Sequence, residues 1–366
     1  MTAPAAEAVS SRFPLFEHLP PLADRIPRIA LGVGPTPVRR LRALQQRAPG
    51  GELWIKNDGL YGTVYGGNKP RKLEFVLADA VARRAPAILT TGALRTNHGL
   101  ATALYGRELG IRVALLLTYE QPVDGTADQL CRMQRAGAAL HYTRSLPWTL
   151  LSLPRFAWRY RANGRWPYLL MPGGSTALGA LGYVNAAFEL ADQVRAGELP
   201  EPDTIVVPVG TGGTAAGLLL GLRLAGLETQ LIGVAITRAP TAWKRAVLRL
   251  AGQTARLIAR ATDTADIRQL PLSGFRIETD WLGPGFGQAS PQAEEAATLV
   301  AESEGIGLDS TYTAKAAAAL LALRGRGTLT GPTLYWHTYD ALSAPSTFGR
   351  EDYRRLPPAF HRFCPL

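Results

Sequence analysis

Short apolar segments alternate with longer segments of helical periodicity along this chain of 366 residues. The apolar segments are rich in β-branched residues and lack polar alternation, which is typical of strands that are covered on both faces. They lie at 87–91, 112–118, 204–209, 231–236 and 333–338. Helices are predicted near 97–109, 126–136, 178–195, 214–225, 241–252, 291–304 and 313–325. This order predicts a doubly wound α/β fold with parallel sheets.

One segment interrupts this alternation, and the end of the chain has its own composition. Residues 145–170, "SLPWTLLSLPRFAWRYRANGRWPYLL", hold three prolines and three tryptophans. An inserted subdomain, a lid or a dimer contact are alternatives here, but we favour a helix pair that packs its Leu and Trp side chains inward. The tail "REDYRRLPPAFHRFCPL" is predicted to be packed by its aromatic side chains.

Length and composition indicate a globular protein, and charge raises the question of an acidic partner. With 46% hydrophobic and 19% charged residues, the chain is long enough for two lobes. It has 40 Lys and Arg against 29 Asp and Glu, a net charge of +11. The basic residues are scattered and form no block of the kind that binds nucleic acid, so we expect no nucleic-acid partner.

Cysteine spacing and the N-terminal sequence bear on compartment and metal binding. Cys131 and Cys364 lie far apart and match neither a metal site nor a disulfide framework, which suits a reducing compartment. Residues 1–13 lack the basic and apolar regions of a secretory signal. No run of about 18 uncharged apolar residues could span a membrane. We therefore expect a cytoplasmic protein with no metal and no membrane partner.

A glycine-rich turn follows the apolar strand at 204–209, within the segment "VVPVGTGGTAAGLLLGL". The turn leads into a predicted helix and consists of Gly210, Thr211, Gly212, Gly213 and Thr214. A helix N-terminus after such a turn offers free N–H groups to a phosphate. The spacing matches neither a Walker A motif nor a dinucleotide fingerprint. We predict a phosphate site here, with a glycine turn that binds nothing as the alternative.

A lysine stands at another junction between glycines and a helix start. In "GGNKPRKLEF", residues 66–75, two glycines and Asn68 precede Lys69. Lys69 is either part of an exposed, charged helix start or a reactive amine beside an anionic ligand. A phosphate site combined with a reactive lysine suggests pyridoxal phosphate, whose aldehyde forms a Schiff base with lysine.

The string "YGGNKPRKLEFVLADA" resembles the GGNK-x-RKLE signature of the family that contains aminocyclopropane-carboxylate deaminase and D-cysteine desulfhydrase. Further matches follow in chain order at 91–103, 172–190, 209–221, 283–287, 305–320 and 337–338. The resemblance implies a pyridoxal phosphate enzyme with the two-domain tryptophan synthase β-like fold (fold type II), in which helices flank parallel or mixed sheets. It also implies a homodimer.

The resemblance predicts how the chain divides. Residues 1–70 and 176–366 are expected to form the large cofactor-binding domain, and residues 71–175 the smaller domain. The segment at 145–170 is a candidate insertion within the smaller domain. The ligand is expected in the cleft at the carboxyl ends of the strands.

The resemblance assigns roles around the lysine. Lys69 would bind the cofactor covalently, and Asn68 would hydrogen-bond the cofactor's phenolic oxygen. A desolvated lysine beside a positive charge has a lowered pKa, and Lys72, one helical turn further on, is at the right distance from Lys69 to be that charge. These three residues are therefore predicted to bind the cofactor.

A second set of residues corresponds to the part of the family's site that holds the substrate carboxylate. Thr96 and Asn97 replace the family's Ser-Asn pair, and His98 follows them. Taken alone, Thr96 and Asn97 would be read as a helix N-cap. Arg95 stands where the family usually has glutamine, which changes the surroundings of the carboxylate.

Five further positions carry family roles or depart from the family pattern. Tyr312 corresponds to the tyrosine over the cofactor, and Thr313 to the partner of the pyridine nitrogen. A threonine there favours elimination over transamination, and the ring-opening deaminase has glutamate instead. Phe286 replaces a usual tyrosine, while Tyr339 and Asp340 replace two small residues near the ring. Tyr339 could supply the missing phenol, and Asp340 could reach the pyridine nitrogen or a cationic substrate group.

The expected activity is therefore pyridoxal phosphate-dependent α,β-elimination from a small amino acid, which would give a 2-oxo acid and ammonia. The candidate catalytic residues are Lys69, Thr96, Tyr312 and Tyr339. A specialised lyase, synthase or cyclase on the same scaffold is an open alternative, as is cyclopropane ring opening. A non-catalytic protein that binds the cofactor is an alternative from another class.

Overall fold

The computed structural model of the chain describes residues 13–237, 240–343 and 347–365. Residues 1–12, on which most of the expectation about a secretory signal rests, lie outside these ranges. The strands are β1 (Val38–Arg40), β2 (Leu53–Asn57), β3 (Ile88–Ala93), β4 (Val113–Thr118), β5 (Ala139–Arg144), β6 (Tyr168–Leu170), β7 (Thr204–Val209), β8 (Gln230–Ala235), β9 (Phe275–Glu278) and β10 (Thr333–His337).

Helices connect the strands. The α-helices are α1 (Pro14–His18), α2 (Pro21–Arg25), α3 (Arg42–Arg47), α4 (Asn68–Ala82), α5 (Asn97–Glu108), α6 (Thr126–Arg135), α7 (Leu146–Arg159), α8 (Ala177–Arg195), α9 (Gly213–Leu224), α10 (Pro240–Thr262), α11 (Pro291–Glu304), α12 (Thr313–Gly325) and α13 (Arg350–Arg354). Short 3₁₀ helices lie at Asp58–Leu60, Pro172–Gly174, Ala265–Gln269 and Pro358–Phe363. Within the described ranges every helix is too short or too polar to cross a bilayer.

The strands form two sheets. A six-stranded sheet has the order β1-β2-β10-β7-β8-β9, in which only β1 runs antiparallel to its neighbour. A four-stranded sheet has the order β5-β4-β3-β6 and is entirely parallel. The predicted α/β class with parallel or mixed sheets is confirmed.

Alternating residues of one strand show how the larger sheet is covered. Ile205 and Val207 of β7 pack with α8, α9 and α10, whereas Val206 packs with α3, α11 and α12 on the opposite face. Successive strand residues point to opposite faces, so a strand covered on both sides must be apolar throughout. This explains why β7 reads as one continuous apolar run.

The five predicted strands and seven predicted helices are all present, and apart from one helix their ends lie within two residues of the predicted ones. The main difference is α10, which continues to Thr262 instead of ending near residue 252. Strands β1, β2, β5, β6 and β9 were not predicted, because they are short or contain polar residues. Lys56 of β2, for example, is fully buried, yet it is a residue type that argues against a core strand.

The segment at 145–170 forms the connection between β5 and β6 through helix α7. On its inner face, Leu153 and Phe156 pack against the four-stranded sheet. Trp148, Trp158 and Trp166 are 56%, 71% and 57% exposed, and Leu150 and Leu151 are exposed as well. The segment holds one α-helix and the short strand β6, so the expectation of a helix pair that packs its Leu and Trp side chains inward is wrong. Helix α7 presents an apolar face to the outside as well as to the sheet.

The C-terminal tail packs through its aromatic side chains, as predicted. Phe360 is fully buried beside the core of the four-stranded sheet. Its ring and that of Phe363 lie 5.9 and 5.4 Å from the ring of Tyr142. The last described residues therefore add to the core of the smaller sheet.

Four charged side chains, Lys56, Asp58, Arg71 and Glu189, form a buried ion cluster between α4, α8 and the larger sheet. None is more than 2% exposed. Arg71 donates to Asp58 at 2.8 and 3.0 Å and to Glu189 at 3.0 Å, while Lys56 Nζ lies 2.7 Å from Glu189 Oε1. Burial raises the pKa of Glu189, but Arg71 and Lys56 lower it by more, so it lies well below its ordinary value. Two cations and two anions thus balance one another inside the protein.

We expect Arg71→Met to lower the free energy of unfolding by about 3–5 kcal/mol, since it leaves two buried carboxylates short of a cation. Urea denaturation of the purified protein measures the change. Arg25→Met is the control, because Arg25 pairs with Asp263 at the surface, where such a pair is worth about 1 kcal/mol or less. Equal losses from both substitutions would contradict a special role for the cluster.

Candidate active site

A cavity of about 430 Å³ lies where the loops that follow the strands of both sheets meet. Its wall includes residues just after β3, β4, β7, β8 and β10, so it sits at the carboxyl ends of the parallel strands. Most of the predicted site residues line it, namely Asn68, Lys69, Lys72, Thr96, Asn97, His98, Gly210, Thr211, Gly212, Gly213, Thr214, Phe286, Tyr312 and Tyr339. Thr313 and Asp340 are not among the lining residues.

Lys69 is the second residue of α4 and points its amine at polar neighbours in the cavity. Its Nζ donates to Asn68 Oδ1 at 2.6 Å, and Asn68 Nδ2 donates to Thr214 Oγ1 at 3.1 Å. The same Nζ lies 5.7 Å from the centre of the Tyr312 ring. Burial lowers the pKa of Lys69 to about 8, and the Asp309 carboxylate opposes that shift. Near neutral pH a useful fraction of this amine is therefore uncharged and nucleophilic.

Lys72 is buried one turn further along α4. Burial, and then the charge of Lys69, lower the pKa of Lys72 well below its ordinary value. The expected lowering of the pKa of Lys69, with burial as its cause, is confirmed, whereas the expected contribution of the Lys72 charge is not found. A buried amine of this kind becomes charged when an anion binds beside it.

The glycine turn meets a second turn, at 172–175, from a distant part of the chain. Ser175 Oγ lies 2.6 Å from Thr211 Oγ1, and it accepts a hydrogen bond of 3.2 Å from the backbone N of Gly213. A Cβ at Gly213 would lie 2.6 Å from Ser175 Oγ, so only glycine permits this approach. Hydroxyls and the N-terminus of α9 together form a cradle that fits a phosphate. Sequence reasoning missed Ser175, although it lies within the matched segment 172–190.

Thr96 is the N-cap of α5, and its Oγ1 accepts a hydrogen bond of 3.1 Å from Gly99 N. The N-cap reading is thus confirmed. The hydroxyl hydrogen of Thr96 stays available as a donor, and the N-terminal end of α5 faces the cavity beside Asn97. An anion such as a carboxylate is favoured at this position.

His98 is buried at the same end of α5. Its Nε2 lies 3.2 Å from Thr90 Oγ1, while its Nδ1 has no partner among the described residues. Burial, Lys72 and Lys69 lower the pKa of His98 well below its ordinary value, so the imidazole is neutral near pH 7. An unpartnered buried nitrogen in the cavity wall is a polar contact left open for a ligand.

Asp309 is a cavity residue that sequence reasoning missed. Its carboxylate accepts from the backbone N–H groups of Thr311, Tyr312 and Thr313 at 2.9–3.1 Å. It also accepts from Thr313 Oγ1 at 2.7 Å. Asp309 therefore caps the start of α12, and the hydroxyl of Thr313 is engaged with it. The only sequence signal was an aspartate shortly before a predicted helix.

The two residues that replace small ones in the family are placed differently. Tyr339 lines the cavity. Asp340 Oδ1 instead accepts from the backbone N–H groups of Gly66, Leu342 and Ser343 at 2.7–3.2 Å. Asp340 thus fixes the turn that precedes Lys69. The structure does not bring it to the cavity wall, where the sequence analysis expected a contact with substrate or cofactor.

Acidic residues of the cavity are not arranged for a metal. Within the described part of the chain, no group of three or more His, Cys, Asp or Glu side chains could hold a metal ion.

Glu120, which lines the cavity, was also missed by sequence reasoning, because nothing in its local sequence marks it. Its partner is Arg95, described below.

Comparisons with known proteins show the family of this chain. Residues 29–338 match the family described as "Pyridoxal-phosphate dependent enzyme". Two proteins named D-cysteine desulfhydrase, from Salmonella paratyphi A and Salmonella schwarzengrund, are each 37% identical over 322 residues, which cover 86% of this chain and 94% of the relative.

Solved structures extend the likeness to the fold. An ACC deaminase homologue has a TM-score of 0.76 and 29% identity, and the match covers 88% of this chain and 94% of that one. Serine racemase from Dictyostelium discoideum, at 16% identity and a TM-score of 0.59, shares the fold over 91% of this chain and 98% of its own. The chain therefore belongs to the pyridoxal-phosphate dependent enzyme family and has its fold type II architecture.

Proposed function

We propose that this protein catalyses α,β-elimination from a small amino acid of the D-cysteine type. The β-substituent is released, and hydrolysis of the elimination product by one water molecule yields a 2-oxo acid and ammonia. The observation that carries the proposal is the placement of Lys69, with its lowered pKa, between a phosphate cradle and the N-terminus of α5. The names of the relatives support the choice of substrate, and the cavity accommodates a small amino acid beside a cofactor.

The residues present fit pyridoxal phosphate. Lys69 would hold its aldehyde covalently, and the turn at 210–214 with Ser175 would hold its phosphate, with Lys72 supplying charge. When bound, the cofactor supplies an electron sink that weakens the bonds at the α-carbon of an attached amino acid. The amine of Lys69, once released from the cofactor, is placed to accept the proton from that carbon.

The α5 end of the cavity would orient the substrate. Thr96 donates its hydroxyl hydrogen, and Asn97 its amide, to the substrate carboxylate at the positive end of the helix. His98 stays neutral and offers Nδ1 as a further contact. Thr313 brings no carboxylate to the cofactor's ring nitrogen, which favours elimination over transamination.

Tyr339 is our candidate for the general acid that donates a proton to the leaving group. Burial, Asp309 and Asp340 raise the pKa of Tyr339, so its phenol keeps its proton at neutral pH. Phe286, where the family commonly has tyrosine, cannot supply this proton. The lack of that phenol also counts against cyclopropane ring opening.

We further propose that the protein acts in the cytoplasm as a homodimer of two-lobed subunits, with lobe boundaries near residues 70 and 176. The packing of Tyr353, Leu356 and Phe360 beside the four-stranded sheet suggests that the tail joins the smaller lobe. The outward face of α7, with Trp148 and Trp158, is the candidate subunit contact, since exposed apolar surface of this extent commonly marks an interface.

Purified protein loaded with pyridoxal phosphate should release sulfide and a 2-oxo acid from D-cysteine. Tyr339→Phe should lower kcat about 100-fold or more, as expected for loss of a general acid, and Tyr142→Phe is the matched control outside the cavity. Sulfide and 2-oxo acid assays measure both. No sulfide from the wild type would rule out the desulfhydrase. Ammonia from aminocyclopropane carboxylate would favour ring opening, and cofactor binding without any turnover would favour the non-catalytic alternative.

Covalent attachment of pyridoxal phosphate to the cofactor-free protein should depend on pH through Lys69. The lowered pKa of about 8 means that the fraction of neutral amine rises about tenfold per pH unit below pH 8 and levels off above it. Borohydride reduction followed by mass spectrometry measures the modified residue over time. Lys69→Ala should abolish the modification and Lys244→Ala should not. A rate that still climbs steeply near pH 10 would show that the amine is an ordinary lysine.

Light scattering should find a dimer at micromolar concentration. Trp148→Ser and Trp158→Ser should each weaken it about tenfold or more, since buried tryptophans dominate interface energies. Tyr119→Ser, an exposed aromatic residue outside α7, is the control. A monomeric wild type would remove the dimer proposal, and a dimer insensitive to both tryptophans would place the contact elsewhere.

A further inference from the structure

The loop at 282–288, called here the bridging loop, connects β9 to α11 and crosses one side of the cavity. Phe286 projects from it into the cavity wall. The Phe286 ring lies 6.1 Å from the ring of Tyr312, edge to face. The position of the loop therefore sets the space next to the residue that is expected over the cofactor.

A buried lysine fastens the bridging loop to the side of the larger sheet. Lys315 Nζ donates to the carbonyl oxygens of Leu282 and Gly285, at 2.7 and 2.8 Å. Lys315 belongs to α12, three residues after Tyr312. The first half of the loop is thus tied to the helix that also positions Tyr312.

An arginine fastens the other half of the bridging loop to the side of the smaller sheet. Arg95 Nη2 donates to the carbonyl oxygen of Gly287 at 2.6 Å and to Glu120 Oε1 at 3.1 Å. The backbone N of Arg95 donates to Glu120 Oε2 at 3.3 Å. Arg95 and Glu120 each follow one of the adjacent parallel strands β3 and β4, so the fold brings them together at the same sheet edge.

Arg95 and Glu120 approach the loop so closely at residue 287 that only glycine fits there. Gly287 has φ of +75°, and a Cβ there would overlap Glu120 Oε1 and lie 3.0 Å from Arg95 Nη2. At the surface, a hydrogen bond of 3.0 Å between Gln288 Nε2 and Gln121 Oε1 forms a second link between the bridging loop and the segment after β4. Arg95 is only 19% exposed and Glu120 7%, so water screens their charges little.

We propose that Arg95 is a positioning residue that, held by Glu120, clasps the bridging loop across the cavity and fixes Phe286 over the substrate position. Arg95 directly precedes Thr96, the N-cap to which the proposed function assigns the substrate carboxylate. The clasp therefore joins carboxylate binding to the position of the loop. Its effect on substrate binding rests on the proposed function, whereas the clasp itself does not.

Hydrogen exchange of the cofactor-loaded protein tests the clasp without any turnover. In Arg95→Gln, the backbone amides of 285–288, among which that of Gln288 donates to the carbonyl oxygen of Gly285, should exchange about tenfold faster than in the wild type, as expected for loss of one charge-assisted hydrogen bond. Glu120→Gln should shift the same amides in the same direction, and it keeps the volume of the side chain. Arg39→Gln is the matched control, since Arg39 also donates to a carboxylate and a carbonyl, both of Glu304 and both far from the loop.

Kinetics then separate positioning from chemistry. With D-cysteine, Arg95→Gln should raise KM about tenfold and change kcat less than about threefold, because we assign this cavity-lining arginine a role in positioning and none in the chemistry. Unchanged exchange at 285–288 in both Arg95→Gln and Glu120→Gln would overturn the clasp, as would a fall in kcat at constant KM. If the wild type turns over no amino acid, the proposed function fails while the exchange result still decides the clasp.

Discussion

The buried ion cluster is the constraint on which the position of the reactive lysine depends. Arg71 lies two residues after Lys69 on α4, and its guanidinium is held by Asp58, beyond the end of β2, and by Glu189 of α8. Trp336 and Tyr183 add hydrogen bonds of 2.8 and 2.7 Å to the Asp58 carboxylate. Buried charges tolerate little displacement, since a lost partner costs several kcal/mol. Helix α4 therefore enters the cavity at a fixed angle and depth.

The site is assembled from chain segments that are far apart in sequence because each follows a parallel strand. The carboxyl ends of β3, β7 and β10 bring Thr96 and Asn97, the glycine turn and Tyr339 to one cavity. The start of α4 then adds the amine. Several short motifs, each weak alone, thus form one site. These motifs follow one another along the chain in the same order as the strands that precede them.

Much of the fold and of the site could be predicted because the signals are local. Covered parallel strands read as apolar runs, and the glycine turn and the Lys69 turn carry their chemistry in a few adjacent residues. The failures were of another kind. Glu120 acts through a residue that follows another strand, and nothing in its local sequence distinguishes it. Ser175 and Asp309 lie within segments that match the family, but the sequence does not show that Ser175 meets the glycine turn or that Asp309 caps a helix at the cavity. The prediction that the tryptophans of α7 pack inward was wrong for a different reason. An apolar side chain does not by itself show which face of a helix it occupies.

Lys72 has a consequence for how the protein takes up its cofactor. In the free cavity, burial and the charge of Lys69 hold the pKa of Lys72 well below its ordinary value, so a charged amine is costly there. A doubly negative phosphate beside Lys72 would favour the charged amine and raise that pKa again. Phosphate binding and the charge of Lys72 are therefore linked, and each stabilises the other. Bond formation at Lys69 has the opposite requirement, an uncharged amine, so two lysines one helical turn apart serve the same cofactor in opposite charge states.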